Sequence, residues 1–108
     1  MKASITYLIV FYVPKNACEQ VKQAMFTEGA GALGNYDQCC WQVLGQGQFR
    51  ALSGSVPAIG DQNSLTQLDE YRVEMLCNSD CLHRVIQAMK EVHPYEEVAF
   101  HVVQNETL

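Results

Sequence analysis

The stretch Ser4-Ile-Thr-Tyr-Leu-Ile-Val-Phe-Tyr-Val13 is β-branched or aromatic almost throughout and ends at Pro14. In an extended chain Ile5, Tyr7, Ile9, Phe11 and Val13 line one face, and Thr6, Leu8, Val10 and Tyr12 the other. Two apolar faces predict a central strand covered on at least one side by helices. The apolar run Ile5–Val13 is far shorter than the roughly 20 residues a spanning helix needs. It also lacks the small-residue processing site of a signal peptide. The expectation is a buried strand in a cytoplasmic protein with no membrane partner.

Beyond Pro14, Asn16 and Glu19 have the spacing of a capping box, and Cys18, Val21, Ala24 and Met25 recur at helical intervals. They predict a helix over 17–28, ended by Gly29 in the left-handed conformation. Cys39–Leu44 and Gln48–Leu52 read as two short strands joined through Gly45-Gln46-Gly47 as a hairpin. Gly54–Gln67, with Pro57 and several small polar residues, reads as a long loop, a feature that is usually functional or interfacial. Glu70–Cys77 alternates, with Tyr71, Val73, Met75 and Cys77 opposite Arg72, Glu74 and Leu76, and predicts a strand. A second helix, capped by Asn78 or Ser79, carries the stripe Leu82, Val85, Ile86, Met89 and Val92 until His93-Pro94 stops it. Glu97–Val103 forms the last strand.

The predicted order is β-α-β-β-β-α-β in one domain spanning 1–108. The fold class is α+β, a ferredoxin-like sandwich: an antiparallel sheet with two helices on one face and one surplus hairpin strand projecting from it. Apolar residues make up 48% and charged residues 18% of the 108, a globular balance that needs no metal or disulfide framework for folding. Twelve acidic side chains against seven basic ones give a net charge of −5, which disfavours nucleic acid as a partner. The odd count of five cysteines (Cys18, Cys39, Cys40, Cys77, Cys81) suits reduced thiols acting as small hydrophobes.

Gly29-x-Gly31-x-x-Gly34 has the spacing of a dinucleotide fingerprint, but it follows a helix instead of preceding one. The positive end of a helix dipole is therefore missing, and the glycines read as a structural turn. Cys77-x-x-x-Cys81 with Cys39-Cys40 supplies only one loose half of a zinc site. Cys39, Cys40, His83, His93 and His101 form no recognisable nucleophile–base pattern. His93-Pro94-Tyr95-Glu96-Glu97 is the richest polar cluster. Its imidazole and a carboxylate could hold a divalent metal, with His93 and Glu96 as ligands; the alternative is a helix stop followed by a strand start, with Tyr95 anchoring the turn.

The stretch Gly29–Tyr36, the segment Gly45–Arg50, the loop Gly54–Gly60 and the ending His93-Pro-Tyr-Glu-Glu-Val-Ala99 occur in one order. Together they resemble the domain inserted into YqfO-type proteins of the Nif-three-like (NGG-interacting factor) family, over nearly the whole chain. That resemblance implies a ferredoxin-like fold similar to CutA and PII proteins, and self-association, a trimer before a dimer. The His-Pro-Tyr-Glu run also resembles a segment of CutA, a family linked to divalent-cation tolerance. In the larger family, flanking segments supply the dinuclear metal ligands, and those segments are not among these 108 residues. A GTP cyclohydrolase-like or other hydrolase activity is therefore not carried over. The expectation is a non-catalytic binding, assembly or regulatory module without a required cofactor; a CutA-like divalent-metal protein is the alternative.

Asn35, Tyr36, Arg50, His93 and Glu96 fall within the shared motifs although periodicity does not need them. They are candidates for binding a small ligand. Equally, they could satisfy one another, with an Arg50–Glu96 ion pair and backbone bonds to Tyr36 and Asn35.

Overall fold

The computed structural model describes residues 5–106. Its strands are β1 (Thr6–Pro14), β2 (Trp41–Arg50), β3 (Leu65–Asn78) and β4 (Phe100–Gln104). The helices are α1 (Cys18–Thr27) and α2 (Leu82–Val92), each entered through a short 3-10 turn. All pairings are antiparallel, in the order β2-β3-β1-β4. The α+β, ferredoxin-like plan expected from the sequence is therefore present, with β1 central.

The alternation in β1 and β3 sets the layers. Ile9, Phe11 and Val13 pair in register with Met75, Val73 and Tyr71, and all six side chains face the helices. Against them pack Cys18, Val21 and Met25 of α1, and Val85 and Met89 of α2. Leu82 and Ile86 pack at the margin of this core, whereas Val92 is exposed.

The two β–turn–α units have nearly the same backbone. The residue before each 3-10 turn is extended (Pro14 at φ −55°, ψ 144°; Asn78 at −71°, 149°). The last residue of each turn is alike too (Ala17 at −108°, −5°; Cys81 at −118°, 4°). These turns displace the side-chain caps read from the sequence. Asn16 lies inside the first turn and makes no capping bond, and Glu19 pairs with Lys22 at 3.0 Å instead. Ser79 ties down the start of β1, its Oγ accepting the Ile5 N–H at 3.2 Å and its own N–H donating to the Ile5 carbonyl at 2.7 Å.

The other end of α1 matches the expectation. Gly29 has φ +112° and donates to the Phe26 carbonyl, while the Ala30 N–H reaches Met25, the paired bonds of a Schellman cap. Gly31 and Gly34 also have positive φ, so each glycine of the Gly-x-Gly-x-x-Gly run serves the turn between α1 and β2.

The surplus strand is a correction. Residues 41–50 form one continuous strand that runs through Gly45 and Gly47, neither of which has positive φ, and no fifth strand occurs among the described residues. The reason is spatial. A Cβ on Gly47 would lie 1.9 Å from Oε1 of Glu70, so this glycine makes room for a side chain lying across the strand.

Strand β3 is correspondingly longer than the alternating segment predicted, and the loop shrinks to 51–64. The β1–β3 pairing ends at Pro14 and Glu70, yet Leu65–Asp69 continues to pair with Gln46–Arg50. A two-stranded ribbon thus projects beyond the sheet. It accounts for the elongated 52 × 25 × 25 Å outline and a radius of gyration of 15.1 Å, against about 13 Å for a compact chain of this length.

A cavity at the base of the projecting ribbon

Where the ribbon leaves the sheet, the loop 51–64 and the segment 94–99 fold over its helix-free side. They line an open cavity of about 490 Å³, within the range of small-molecule sites. Tyr12, Phe49 and Tyr95 supply aromatic walls, and Leu52, Pro57 and Ile59 close it from the loop. The charged groups at its margin are Arg50, Glu70, Glu96 and Glu97.

His93 builds the wall from behind. The proline after it forces the extended conformation (φ −64°, ψ 135°) that ends α2 and turns the imidazole inward, to 6% exposure. Its Nε2 lies 2.7 Å from the Tyr12 carbonyl oxygen, and its Nδ1 accepts the Tyr95 N–H at 3.1 Å. A carbonyl can only accept and an amide N–H can only donate, so the ring is neutral with its proton on Nε2. Burial holds its pKa below the ordinary imidazole value, although the Tyr12 bond and the Glu70 charge act the other way.

The chain continues outward. The Tyr95 hydroxyl donates to the Glu70 carboxylate, and the Tyr95 ring meets Phe49 edge-on, 6.0 Å between centroids. Burial, reinforced by Glu70, pushes the Tyr95 phenol above its usual pKa. Glu96 accepts the Val56 N–H with both oxygens, at 2.9 and 3.2 Å, which fastens the loop to the segment after α2.

The five ligand candidates therefore separate. Arg50 and Glu96 reach the cavity and His93 supports it from within, but Asn35 and Tyr36 do not. Those two sit in a tight turn in which Leu33 and Tyr36 exchange backbone bonds at 2.9 Å, and Tyr36 is 75% exposed. Their turn lies before the start of β2 and Arg50 at its end, about 30 Å away at roughly 3.3 Å per strand residue.

The mutual satisfaction weighed for these residues is not what the structure contains. Glu96 is engaged by Val56, and Arg50 has no ion-pair partner among the described residues. Tyr12, Phe49 and Glu70 escaped the sequence reading. Only their convergence from three strands makes them neighbours, and the sole trace in the sequence is a glycine at position 47.

A metal at His93 and Glu96 does not fit this geometry. Both ring nitrogens are committed to backbone groups, which leaves His93 no lone pair for a metal. Among the described residues no three His, Cys, Asp or Glu side chains converge as ligands. Cys77 and Cys81 form a buried contact, Sγ to Sγ 3.6 Å, rather than half of a zinc site. Burial, together with Cys81, pushes the Cys77 thiol up to about 12, so it stays protonated.

No family model matches the chain. A Mycobacterium tuberculosis protein named "GTP cyclohydrolase 1 type 2 homolog" is 43% identical over 93 residues, covering 86% of this chain and 24% of that protein. A Bacillus cereus protein related to NIF3 superposes with a TM-score of 0.83 at 32% identity, over 99% of this chain and 27% of that one. The chain is homologous to one segment of the NIF3-related proteins. It spans about a quarter of the length of the curated relatives it matches.

The fold of this NIF3-related segment is also that of the divalent cation tolerance protein CutA from Archaeoglobus fulgidus. The TM-score is 0.67 at 13% identity, over 94% of this chain and 85% of that one. Among the described residues no helix is long and apolar enough to cross a membrane.

Proposed function

We propose that this NIF3-related segment is a non-catalytic binding and assembly module that associates with copies of itself, as a trimer, through the helix-free face and the edges of its sheet. The observation carrying this reading is the composition of that face. Register places Leu76, Leu8 and Val103 in one row across it, Trp41, Glu74, Val10 and His101 in the next, and Val43, Arg72 and Tyr12 in a third. Trp41 is 59% exposed with Val43 exposed beside it on β2, and Val103 is exposed on β4 at the opposite edge. Large apolar side chains gathered on one uncovered surface mark a contact site.

The edges add to this. Strand β2 offers ten residues with one side unpaired and β4 five, and the ribbon extends the β2 edge past the body of the domain. Unpaired strand edges invite pairing with another chain. Joining the β2 edge of one copy to the β4 edge of the next is a head-to-tail contact, which gives a ring of three when successive copies are rotated by a third of a turn.

The carboxylates of the cavity favour binding over chemistry. Glu70 and Glu96 are held by donors, and the imidazole behind them has no free nitrogen to act as a base. The activity in the relatives' name is that of proteins four times as long, and this reading leaves it with their remaining segments.

Light scattering at about 50 µM protein is expected to return three times the monomer mass, and Trp41→Glu to return the monomer. A wild-type monomer at that concentration overturns the reading.

A further inference from the structure

We propose that the cavity at the base of the ribbon binds a small organic cation, an apolar or aromatic body carrying a protonated amine. This specifies the binding half of the proposed function; the cavity adjoins the Trp41 face at Tyr12 but does not include Trp41.

The size and lining set the body of the ligand. A space of about 490 Å³ walled by Phe49, Tyr95 and Tyr12 accommodates a flat or apolar group. Phe49 and Tyr95 meet edge-to-face, their ring planes 65° apart, which forms a corner with two π surfaces. Ring faces carry negative quadrupole density and attract a cation within about 6 Å.

Charge sets the polar end. Three carboxylates, Glu70, Glu96 and Glu97, face the cavity against one guanidinium, Arg50. Glu70 and Glu96 accept hydrogen bonds only from neutral groups, a phenol and an amide, so their charges are not cancelled. Glu97 is exposed and has no hydrogen-bond or ion-pair partner among the described residues, which leaves its carboxylate for an incoming ammonium. The same field opposes anions. A nucleotide or other phosphate ester would bring its charge toward three carboxylates, with Arg50 alone to receive it.

The test uses three probes of one shape: 2-phenylethylamine, 2-phenylethanol and 3-phenylpropionate, titrated by calorimetry and by amide chemical shifts. The amine is expected to bind at least about tenfold more tightly than the carboxylate, a difference of about 1.4 kcal/mol. Shifts should concentrate on residues 48–59 and 95–99. Phe49→Ala is expected to weaken all three probes. Glu97→Gln, at an exposed position, is expected to reduce the preference for amine over alcohol, Glu70 and Glu96 retaining the remainder. Propionate binding as tightly as the amine overturns the proposal, and so does the absence of amine binding at about 5 mM. Running the amine titration on Trp41→Glu as well reads assembly separately, because that variant retains the cavity residues whether or not it remains oligomeric.

Discussion

Replacing Gly31 by alanine is expected to destabilise the fold by about 3 kcal/mol, the largest loss from any single glycine in the chain. Gly31 has φ +80°, and a Cβ there would lie 2.9 Å from both the nitrogen and the oxygen of Cys39 and 2.8 Å from the Phe26 ring. Relief by movement is blocked on both sides. The Gly31 N–H donates to the Leu76 carbonyl at 2.8 Å, and its carbonyl accepts the Cys39 N–H at 2.9 Å. The residue therefore fastens the α1–β2 connection to β3 and to its own far end. A left-handed alanine costs on the order of 1–3 kcal/mol, and forcing an atom into packed backbone adds roughly 1–3 more. For a domain of this size the melting temperature should fall by roughly 12–24 °C. Gly34→Ala is the control: φ is +56°, but nothing lies within 4 Å of the added carbon, so only the conformational part, about 1 kcal/mol, applies. Thermal and urea unfolding followed by circular dichroism decides between them. Equal losses in the two variants would mean that the close approach to Cys39 carries no energy.

Those two glycines also mark how far the sequence could be read. Local signals were legible where their cause is local. Alternation in residues 5–13 and 70–77 gave two strands, Gly29 gave a helix end, and His93-Pro94 gave another. Gly45-Gln46-Gly47 misled because glycine is chosen for two unrelated reasons. A turn needs its backbone freedom, whereas position 47 needs its missing side chain, and the group filling that space, Glu70, lies on another strand. The Asn16–Glu19 box failed for a comparable reason: the 3-10 entry moved the helix start by one residue, to Cys18, and left Glu19 to Lys22. The cavity was the least legible part. It draws on residue 12, residues 48–59, residue 70 and residues 95–99, and no periodicity links them. Glu96 was reached through the polar cluster after α2, Arg50 only through motif resemblance, and the same route brought in Asn35 and Tyr36, which stand at the other end of β2.

His93→Ala is expected to cost about 2–4 kcal/mol, because the imidazole is both a filler and a connector. Its loss leaves the Tyr12 carbonyl and the Tyr95 N–H without partners and opens a void behind Tyr95. The pH dependence separates the connector from the filler. The folded-state pKa of His93 is depressed by burial, so the neutral ring's contribution is complete above the unfolded value of about 6.5. As pH falls through that value the unfolded chain takes up the proton first, and stability declines until the folded pKa is passed. Protonation in the folded state would also place an N–H at Nδ1 against the Tyr95 N–H, which loosens the wall carrying Tyr95 and Glu70. His93→Gln keeps a donor for the Tyr12 carbonyl but cannot titrate. Urea midpoints between about pH 7.5 and 5 should therefore fall more steeply in the wild type than in the glutamine variant, since the other described histidines, His83 and His101, are exposed and present in both. Parallel profiles would show that His93 titrates equally in the folded and unfolded chains. The buried neutral ring could not then be what aligns Tyr95 over the cavity.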